Sequence, residues 1–481
     1  MCVEVLARPR LGTLALVLAA ALAAAPAAQA AGKPRVSSSV RADGTTVVRY
    51  VAAPGQHNEL QIRVRAEAID PYKRQLGIIE DTGIDFYDIG ADELEPVGPL
   101  CKPQGTGAGC DVRGTKVEVD VDLGDGDDTV APEYDAARQT RAVILGGTGN
   151  DALQVWGSTR TAIDFSGGPG IDAVDYYDPK RAAFAFNNDL LFNDGRGLDR
   201  VRRDVELYIG GDGDDQYAFA AGGRHIVFGV GGDDTLASGP GPDEFDGGYG
   251  GDPGGFDTPS EDTITYAGRR AGVTVTLDGF PDDGATGEGD YILPTIEHVI
   301  ATELPDKLVG PDRVTDGRAY TYEAGGGNDL VSGGAGTDLI DAAAGDDVVI
   351  AIGGGKDAVK CGDGADVAVL DKSDLSRDCE DVSRSYLRTQ ASQVGTTVAA
   401  TVAVPAPRSK VRAVLLADDE KMGSKTVEVG PGLRPLRVTL NGDAKEELHK
   451  AHSLPLKLRV EISSPGRKTV SASKRVTLAD G

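Results

Sequence analysis

A nine-residue pattern dominates the sequence and returns without a gap between residues 324 and 350. In the copy GGAGTDLID, residues 333–341, glycine fills the first, second and fourth places, aspartate the sixth and an aliphatic residue the eighth. Glycine loses more backbone entropy on folding than any other residue, so a single copy would not fold alone. A fixed short period is typical of solenoid proteins, in which each repeat stacks on the next and all repeats share one core.

Further copies extend this frame. They lie at 123–130, 146–154, 167–175, 210–218, 229–255, 352–360 and 361–369. The sixth-place aspartates are Asp128, Asp151, Asp172, Asp215, Asp234, Asp243, Asp252, Asp329, Asp338, Asp347, Asp357 and Asp366. Alternating β-branched residues, as in 117–123 and 273–279, predict strands with one buried face, so the chain is expected to form an all-β solenoid. Because only 5% of the residues are aromatic, its core is expected to consist of Val, Leu and Ile rather than large rings.

The aspartate spacing also predicts metal binding. If two copies form one coil, residues about eighteen apart stack, which pairs Asp234 with Asp252, Asp329 with Asp347, Asp338 with Asp357 and Asp347 with Asp366. Carboxylates stacked about 4.8 Å apart repel each other by about 1 kcal/mol even in water. Calcium reverses this repulsion, since it accepts about six to eight carboxylate and carbonyl oxygens in flexible geometry, whereas magnesium requires a tighter octahedron. Several bound Ca²⁺ ions are therefore predicted, with binding coupled to folding.

These tandem copies resemble the RTX, or hemolysin-type, calcium-binding repeat family, chiefly at 229–255 and 324–369. The resemblance implies a right-handed parallel β-roll or β-helix with calcium between its turns and the sixth-place aspartates as ligands. The chain departs from the family pattern in its N-terminal signal. A flexible acidic linker is the alternative, and it is disfavoured because a linker needs no aliphatic residue at the eighth place. That place holds Leu236, Val331, Ile340, Val349, Val359 and Ala368.

The N-terminus predicts export. Arg8 and Arg10 precede an apolar run that ends in Ala28-Gln29-Ala30, which is the pattern of a cleavable signal peptide covering residues 1–30. The mature protein is expected to be secreted or wall-associated, and no later segment is apolar enough to span a membrane. Its cysteines fall into two local pairs, Cys101 with Cys110 and Cys361 with Cys379, whose even number predicts disulfides.

Charge and pattern divide the rest of the chain into three parts. Residues 31–118 lack the frame and are expected to form a β region or cap, and residues 119–385 form the solenoid. Residues 386–481 contain 16 Lys and Arg against 9 Asp and Glu, although the whole chain has a formal net charge of −27. That negative charge excludes nucleic acid as a partner and favours cations. Strand patterns in 386–481 predict a small Ig-like β-sandwich with one helix at 443–452, for which Asp443 is the expected N-cap.

Motifs of enzymes are scarce in the sequence. No H-E-x-x-H, G-x-S-x-G or P-loop motif occurs, which disfavours a zinc protease, a lipase and a nucleotide-binding enzyme. The leading prediction is a secreted structural or adhesive protein, without enzymatic activity, that calcium folds at the cell surface. A polysaccharide-active lyase or epimerase stays open, with Asp178 and Lys180 in YYDPKR (176–181) as its candidate residues. A glycan-binding C-terminal domain is a further alternative, because anionic cell-wall or extracellular polysaccharides suit its basic residues Lys410, Arg412, Arg434, Arg437, Arg459, Arg467, Lys468, Lys474 and Arg475.

Overall fold

The computed structural model describes residues 32–480 except 68–80, 92, 113–115, 134–138, 157–161, 178–183, 188–190, 193–198, 212, 220–221, 249–259, 315–317, 466 and 468. The expected signal peptide therefore lies outside the described residues. The protein is mostly β, with 53% of its residues in strands, and the described part contains one helix. The chain divides into two compact units, Met1–Gly241 with Gly247–Ser260 and Pro242–Asp246 with Glu261–Gly481.

The first unit begins with strands that pair mostly antiparallel. These are β1 (Arg35–Val40), β2 (Thr46–Val51), β3 (Glu59–Glu67), β4 (Asp81–Asp88), β5 (Glu95–Val97), β6 (Cys101–Gln104) and β7 (Gly107–Asp111). Antiparallel pairing joins β1 to β2, β3 to β4, β4 to β7 and β6 to β7. The first strands of the repeat region then add to β2 and β3 in parallel. The antiparallel strands therefore occupy the start of the parallel stack, where an unpaired edge would otherwise lie.

Parallel strands make up the rest of the first unit. They are β8 (Lys116–Asp122), β9 (Thr129–Glu133), β10 (Gln139–Leu145), β11 (Ala152–Trp156), β12 (Ala162–Ser166), β13 (Ala173–Tyr177), β14 (Phe184–Asn187), β15 (Leu191–Phe192), β16 (Asp199–Val201), β17 (Leu207–Ile209), β18 (Gln216–Phe219), β19 (Ile226–Phe228) and β20 (Thr235–Ala237). One parallel series runs β8–β10–β12–β16 and another β9–β11–β13–β17–β19, while the short β15 pairs antiparallel with β16. Between β8 and β13, consecutive strands thus belong to alternate sheets.

The second unit repeats this arrangement with shorter coils. Its repeat strands are β21 (Glu244–Asp246), β22 (Thr263–Thr265), β23 (Val273–Thr276), β24 (Gly284–Ala285), β25 (Tyr291–Ile292), β26 (His298–Ile300), β27 (Lys307–Val309), β28 (Ala319–Glu323), β29 (Leu330–Ser332), β30 (Thr337–Asp341), β31 (Val348–Ala351), β32 (Ala358–Lys360), β33 (Val367–Leu370), β34 (Leu375–Arg377) and β35 (Asp381–Ser383). The parallel series are β22–β26–β28–β30–β32–β34 and β23–β27–β29–β31–β33–β35. Val331 pairs with Val349 and Ile340 with Val359, so neighbouring coils are eighteen or nineteen residues apart, as the sequence predicts.

The repeat core contains the aliphatic residues that the frame predicts, but also large rings. Val331, Ile340 and Val359 are buried, as are the other eighth-place residues. The expectation of a core without large rings is wrong, since Tyr50, Tyr217, Tyr266, Tyr322, Phe86, Phe165 and Phe245 are fully buried. The tyrosines among them bring polar ends into the core: the Tyr266 hydroxyl donates to Asp290 at 2.9 Å. A tyrosine can therefore fill the core and satisfy a buried carboxylate at the same time.

Residues 386–481 form mostly antiparallel strands around their own apolar core. The elements are β36 (Leu387–Arg388), β37 (Ser392–Val394), β38 (Thr397–Val404), β39 (Ser409–Ala417), β40 (Glu420–Val429), β41 (Gly432–Thr439), α1 (Gly442–Ala451), β42 (Ser453–Ser463) and β43 (Val470–Ala479). They make a three-stranded sheet, β36–β38–β41, and a five-stranded sheet, β37–β43–β42–β39–β40. Asn441, whose backbone is extended, accepts from the Ala444 N–H at 2.8 Å and is the N-cap of α1. The prediction of Asp443 is wrong because that residue already lies inside the helix.

The C-terminal strands contact the parallel strands of the same unit. Ala403 packs with Ile350 and Val369 in a small apolar cluster. Two ion pairs join the same strands: Arg408 pairs with Asp278, and Arg467 pairs with Asp312. Two of the basic residues of this region are thus used to hold it against the acidic repeats.

Candidate metal sites in a ladder of buried carboxylates

Nearly all of the sixth-place aspartates are buried at the start of a strand. Asp128 directly precedes β9, Asp151 precedes β11 and Asp329 precedes β29. The described members are each at most 2% exposed: Asp128, Asp151, Asp172, Asp215, Asp234, Asp243, Asp329, Asp338, Asp347, Asp357 and Asp366. Asp252 lies outside the described residues. Charged side chains are rarely buried so completely unless a partner compensates for the lost water.

Most of these aspartates are linked by hydrogen bonds from one coil to the next. The Asp329 N–H donates to Asp347 Oδ1 at 2.8 Å, and the Asp347 N–H donates to Asp366 Oδ1 at 2.9 Å. The same bond joins Asp338 to Asp357, Asp128 to Asp151, Asp151 to Asp172 and Asp215 to Asp234. We call these linked residues the aspartate ladder. The predicted stacking of Asp329, Asp338 and Asp347 on their partners is confirmed, and that of Asp234 on Asp252 falls outside the described residues.

The ladder includes residues that the repeat frame does not identify. Its first members in two series are Asn58, which donates to Asp128, and Asp306, which donates to Asp329. The last members are Glu206, Asp374 and Glu380, which accept from Asp172, Asp357 and Asp366. Two further pairs of the same kind are Asp243 with Asp290 and Asp262 with Glu297. A signal for them exists in the sequence: they stand immediately before a strand, although most of them lack the preceding glycine turn.

At many residues of the aspartate ladder, one carboxylate oxygen has no hydrogen bond. Among the described residues, no group donates to the buried Oδ2 atoms of Asp128, Asp151, Asp172, Asp329, Asp347 and Asp366, or to either oxygen of Asp338. Leaving one buried polar atom unsatisfied costs about 1–3 kcal/mol, and more for a charged group. A row of such atoms in one structural position indicates a missing partner that carries positive charge or a proton.

Burial raises the pKa of the carboxyl groups of the ladder. Burial, the largest cause, raises the pKa of Asp128, Asp151, Asp172 and Asp329 to about 7, with neighbouring carboxylates adding to the rise and the N–H donors opposing it. Burial and Asp357 raise the pKa of Asp338 to about 8. Without a cation, the ladder therefore holds protons near neutral pH. A cation that binds must displace them.

The first-place glycines leave room for these oxygens. A β-carbon on Gly146 would collide with Asp151 Oδ2 and would lie 2.6 Å from the carbonyl oxygen of Gly167 on the next coil. A β-carbon on Gly333 would likewise collide with Asp338 Oδ2. A carboxylate oxygen and a backbone carbonyl oxygen thus converge beside a glycine. This is the hard oxygen donor set that calcium takes in proteins.

The side chains alone do not complete a metal site. Within the described ranges, no three His, Cys, Asp or Glu side chains come together as a metal-binding group. An ion at the ladder would therefore take one or two carboxylates and fill its remaining positions with turn carbonyls and water. The donor chemistry fits calcium better than zinc, since the described ladder offers oxygen but neither thiolate nor imidazole.

Both predicted disulfides are confirmed. Cys101 and Cys110 link β6 to β7, with their strands in register at this pair. Cys361 and Cys379 are eighteen residues apart and join the last two coils of the stack. Cys361 occupies the first place of its repeat, where most other copies have glycine. The second disulfide therefore connects neighbouring turns covalently at the end of the ladder.

The remaining findings concern the other predictions made from the sequence. Asp178 and Lys180 of the proposed lyase site lie outside the described residues. No helix in the described chain has the length and apolar character needed to cross a membrane. The comparisons add no family: no protein-family model matches this chain, and no curated protein matches it in sequence.

Proposed function

We propose that this protein is an exported, RTX-like calcium-binding protein whose repeats form a right-handed parallel β-roll or β-helix. Consecutive strands in alternate sheets and a coil of eighteen or nineteen residues support this closed arrangement. The two mostly antiparallel sheets of 386–481 and their common core support an Ig-like sandwich after the repeats. The disulfides favour an extracellular location.

The observation that carries the calcium proposal is the row of buried Oδ2 atoms without hydrogen bonds. The two carboxylate oxygens of a ladder residue such as Asp347 have different roles. Oδ1 accepts the N–H of the preceding coil and fixes the register, while Oδ2 and the turn carbonyls remain available to an ion. Calcium supplies the positive charge that the buried carboxylates lack. We expect affinities of about 10⁻⁴–10⁻³ M per site, typical of extracellular calcium modules, so that the chain folds after export.

The biological role that follows is structural or adhesive. A stack that is stabilised by many weakly bound calcium ions is less stable in a calcium-poor compartment than it is outside the cell. Such a device positions a surface domain without any catalytic group. Residues 386–481, which are basic and packed on the repeats, are the part that meets a partner.

The test is a metal count on the purified mature chain, combined with circular dichroism in EGTA and then in millimolar calcium. We expect several calcium ions per chain and a gain of β-signal on calcium addition. Asp347→Asn keeps the Oδ1 acceptor but replaces Oδ2 with an amide, so it should lower the count. Asp346→Asn is the matched control, because Asp346 is exposed and its neutral amide can still accept from Ala365. A chain that folds equally in EGTA and binds no calcium would refute the proposal.

A second candidate, a polysaccharide-active enzyme, is favoured by one observation. In the second unit the turn between β23 and β24 encloses a cleft of about 610 Å³ lined by Thr274, Asp282 and Lys307. Burial lowers the pKa of Lys307, and no described residue forms an ion pair with it. A lysine and a carboxylate in a cleft can serve as base and acid. Release of unsaturated sugar from a uronate polymer, abolished in Lys307→Ala, would support this candidate, and its absence over a panel of uronate polymers would eliminate it.

A further inference from the structure

The outward face of the five-stranded sheet carries a stripe of cations. Alternation along each strand turns every second residue outward, and the residues between them, such as Val411 and Leu458, are buried. The outward cations are Lys410 and Arg412 on β39, Lys457 and Arg459 on β42, and Arg475 on β43. We call these five residues the cationic stripe.

The register of the strands sets the shape of the stripe. Lys457 lies directly opposite Arg475, while Arg459 lies opposite Val414, two residues beyond Arg412. Residues two apart on a strand are separated by about 7 Å and neighbouring strands by about 4.8 Å. The five cations therefore run diagonally over a length of roughly 20 Å. This geometry suits an extended, linear ligand rather than a compact one.

Three of the five cations of the stripe take no part in holding the fold, and the other two share one carboxylate. Arg412 and Arg459 both approach Glu461, at 3.7 and 2.8 Å. In the part of the chain that the structure describes, Lys410, Lys457 and Arg475 form no ion pair. By contrast, Arg408 and Arg467 of the same region pair with aspartates of the repeats. The basic residues thus separate into a set that anchors the domain and a set that faces the solvent.

The surroundings of the stripe indicate the class of ligand. After Tyr386 the sequence contains no Phe, Trp or Tyr, so the strands that carry the stripe supply no such ring on which a nucleic-acid base could stack. Hydroxyl side chains flank the cations on the same face, because Ser471 lies opposite Glu461 and Ser473 opposite Arg459. They offer hydrogen bonds to sugar hydroxyl groups. The strongly acidic repeats repel a polyanion, so binding would be confined to this face.

We propose that the cationic stripe binds a linear anionic polysaccharide whose sugars carry carboxylates, such as a uronate polymer. The ammonium and guanidinium groups pair with successive carboxylates, and the serines bind the hydroxyl groups between them. This contact goes beyond calcium binding, since it uses no residue of the aspartate ladder. It would attach the repeats to an extracellular polymer through their C-terminal end.

The test uses the full mature chain in 2 mM calcium and a fluorescently labelled galacturonate hexamer, a length too short to gel. We expect a rise in anisotropy at about 50 mM salt that disappears at several hundred millimolar, because salt screens exposed charges. The triple variant Lys410→Gln, Lys457→Gln, Arg475→Gln should weaken binding about tenfold. The matched control Arg437→Gln, Lys445→Gln, Lys450→Gln removes the same charge from the three-stranded sheet and from α1, and it should change affinity less than about twofold.

Several outcomes would overturn this assignment. They are no binding of the hexamer at low salt, equal weakening in the two triple variants, and equal affinity for a DNA oligonucleotide of matched charge. A fourth is salt-sensitive self-association without polymer that the stripe variant abolishes, which would identify the acidic repeats of a second copy as the occupant. Far-UV circular dichroism and the calcium count of the two variants separate a failed stripe from a failed fold.

Discussion

At Asp338, the free-energy cost of burying a ladder carboxylate without calcium can be measured at a single residue. Its carboxyl group is 2% exposed, and neither oxygen accepts a hydrogen bond from a described residue. Burial, followed by the nearby Asp357, raises its pKa to about 8. We predict that Asp338→Asn stabilises the calcium-free chain at pH 8.5 and leaves its stability almost unchanged at pH 4.

The sign and size of this effect follow from proton linkage. Because the folded pKa lies above the ordinary value of 3.8, the stabilising contribution is complete below about pH 4 and is lost as the pH rises through about 8. The full difference corresponds to about 5–6 kcal/mol at high pH. The asparagine amide does not titrate, and its unsatisfied donors cost about as much as the buried protonated carboxyl group that it replaces. At pH 4 two neutral groups are compared, so the difference falls within about 1 kcal/mol, and at pH 8.5 the net gain is roughly 4–6 kcal/mol.

The assay is urea unfolding followed by far-UV circular dichroism in EGTA between pH 4 and pH 8.5. The free energy of unfolding of the unmodified chain should fall across this range, and that of Asp338→Asn should fall less. Asp346→Asn, at an exposed position in the following nine-residue repeat, is the control and should follow the unmodified chain. If Asp338→Asn shifts the free energy equally at both ends of the range, the buried charge is not the cause and the reasoning fails.

Three further predictions concern other parts of the ladder. Gly146→Ala should lower the free energy of unfolding by about 1–3 kcal/mol in calcium and remove about one bound ion. Its control is Gly442→Ala, where a β-carbon meets nothing within 4 Å. This variant should be neutral or slightly stabilising in the same urea and metal-count assays. Cys361→Ser with Cys379→Ser should cost about 3 kcal/mol for the eighteen-residue loop and speed hydrogen exchange in β33 and β35, while Cys101→Ser with Cys110→Ser should leave those strands unchanged. Calcium affinity measured by isothermal titration should fall between pH 7.5 and pH 5.5, because burial raises the pKa of Asp128 and Asp329 to about 7 and protons compete for the same oxygens; a pH-independent affinity would exclude these residues as ligands.

The period of the coil could be read from the sequence because it depends on a strict local pattern. Glycine, aspartate and one aliphatic residue recur every nine positions, and the pairing of Val331 with Val349 reproduces that spacing. The cysteine pairs were equally accessible, since Cys361 and Cys379 are one coil apart. Such features are fixed by spacing along the chain.

The ends of the ladder could not be read in this way. Glu206 and Glu380 accept the last N–H groups of their series although no glycine turn surrounds them. Because glutamate has a longer side chain than aspartate, it can accept the N–H across a different distance. The series of hydrogen bonds therefore continues after the nine-residue frame has ended. The N-cap at Asn441 was missed for a related reason, because the local backbone angles rather than the residue type decide which side chain caps the helix.

The burial of the ladder changes the physical account of why calcium and folding are coupled. Repulsion between exposed aspartates would amount to about 1 kcal/mol per pair and would be weakened by salt. The carboxylates are instead buried and hydrogen-bonded through Oδ1, so register is set by neutral backbone contacts that need no ion. The remaining Oδ2 atoms then require either a proton or a cation, and the two compete for the same position. A calcium-poor, acidic solution should therefore preserve the stack by protonation, and a calcium-rich, neutral one by metal binding, with the least stable state being neutral to alkaline and free of calcium.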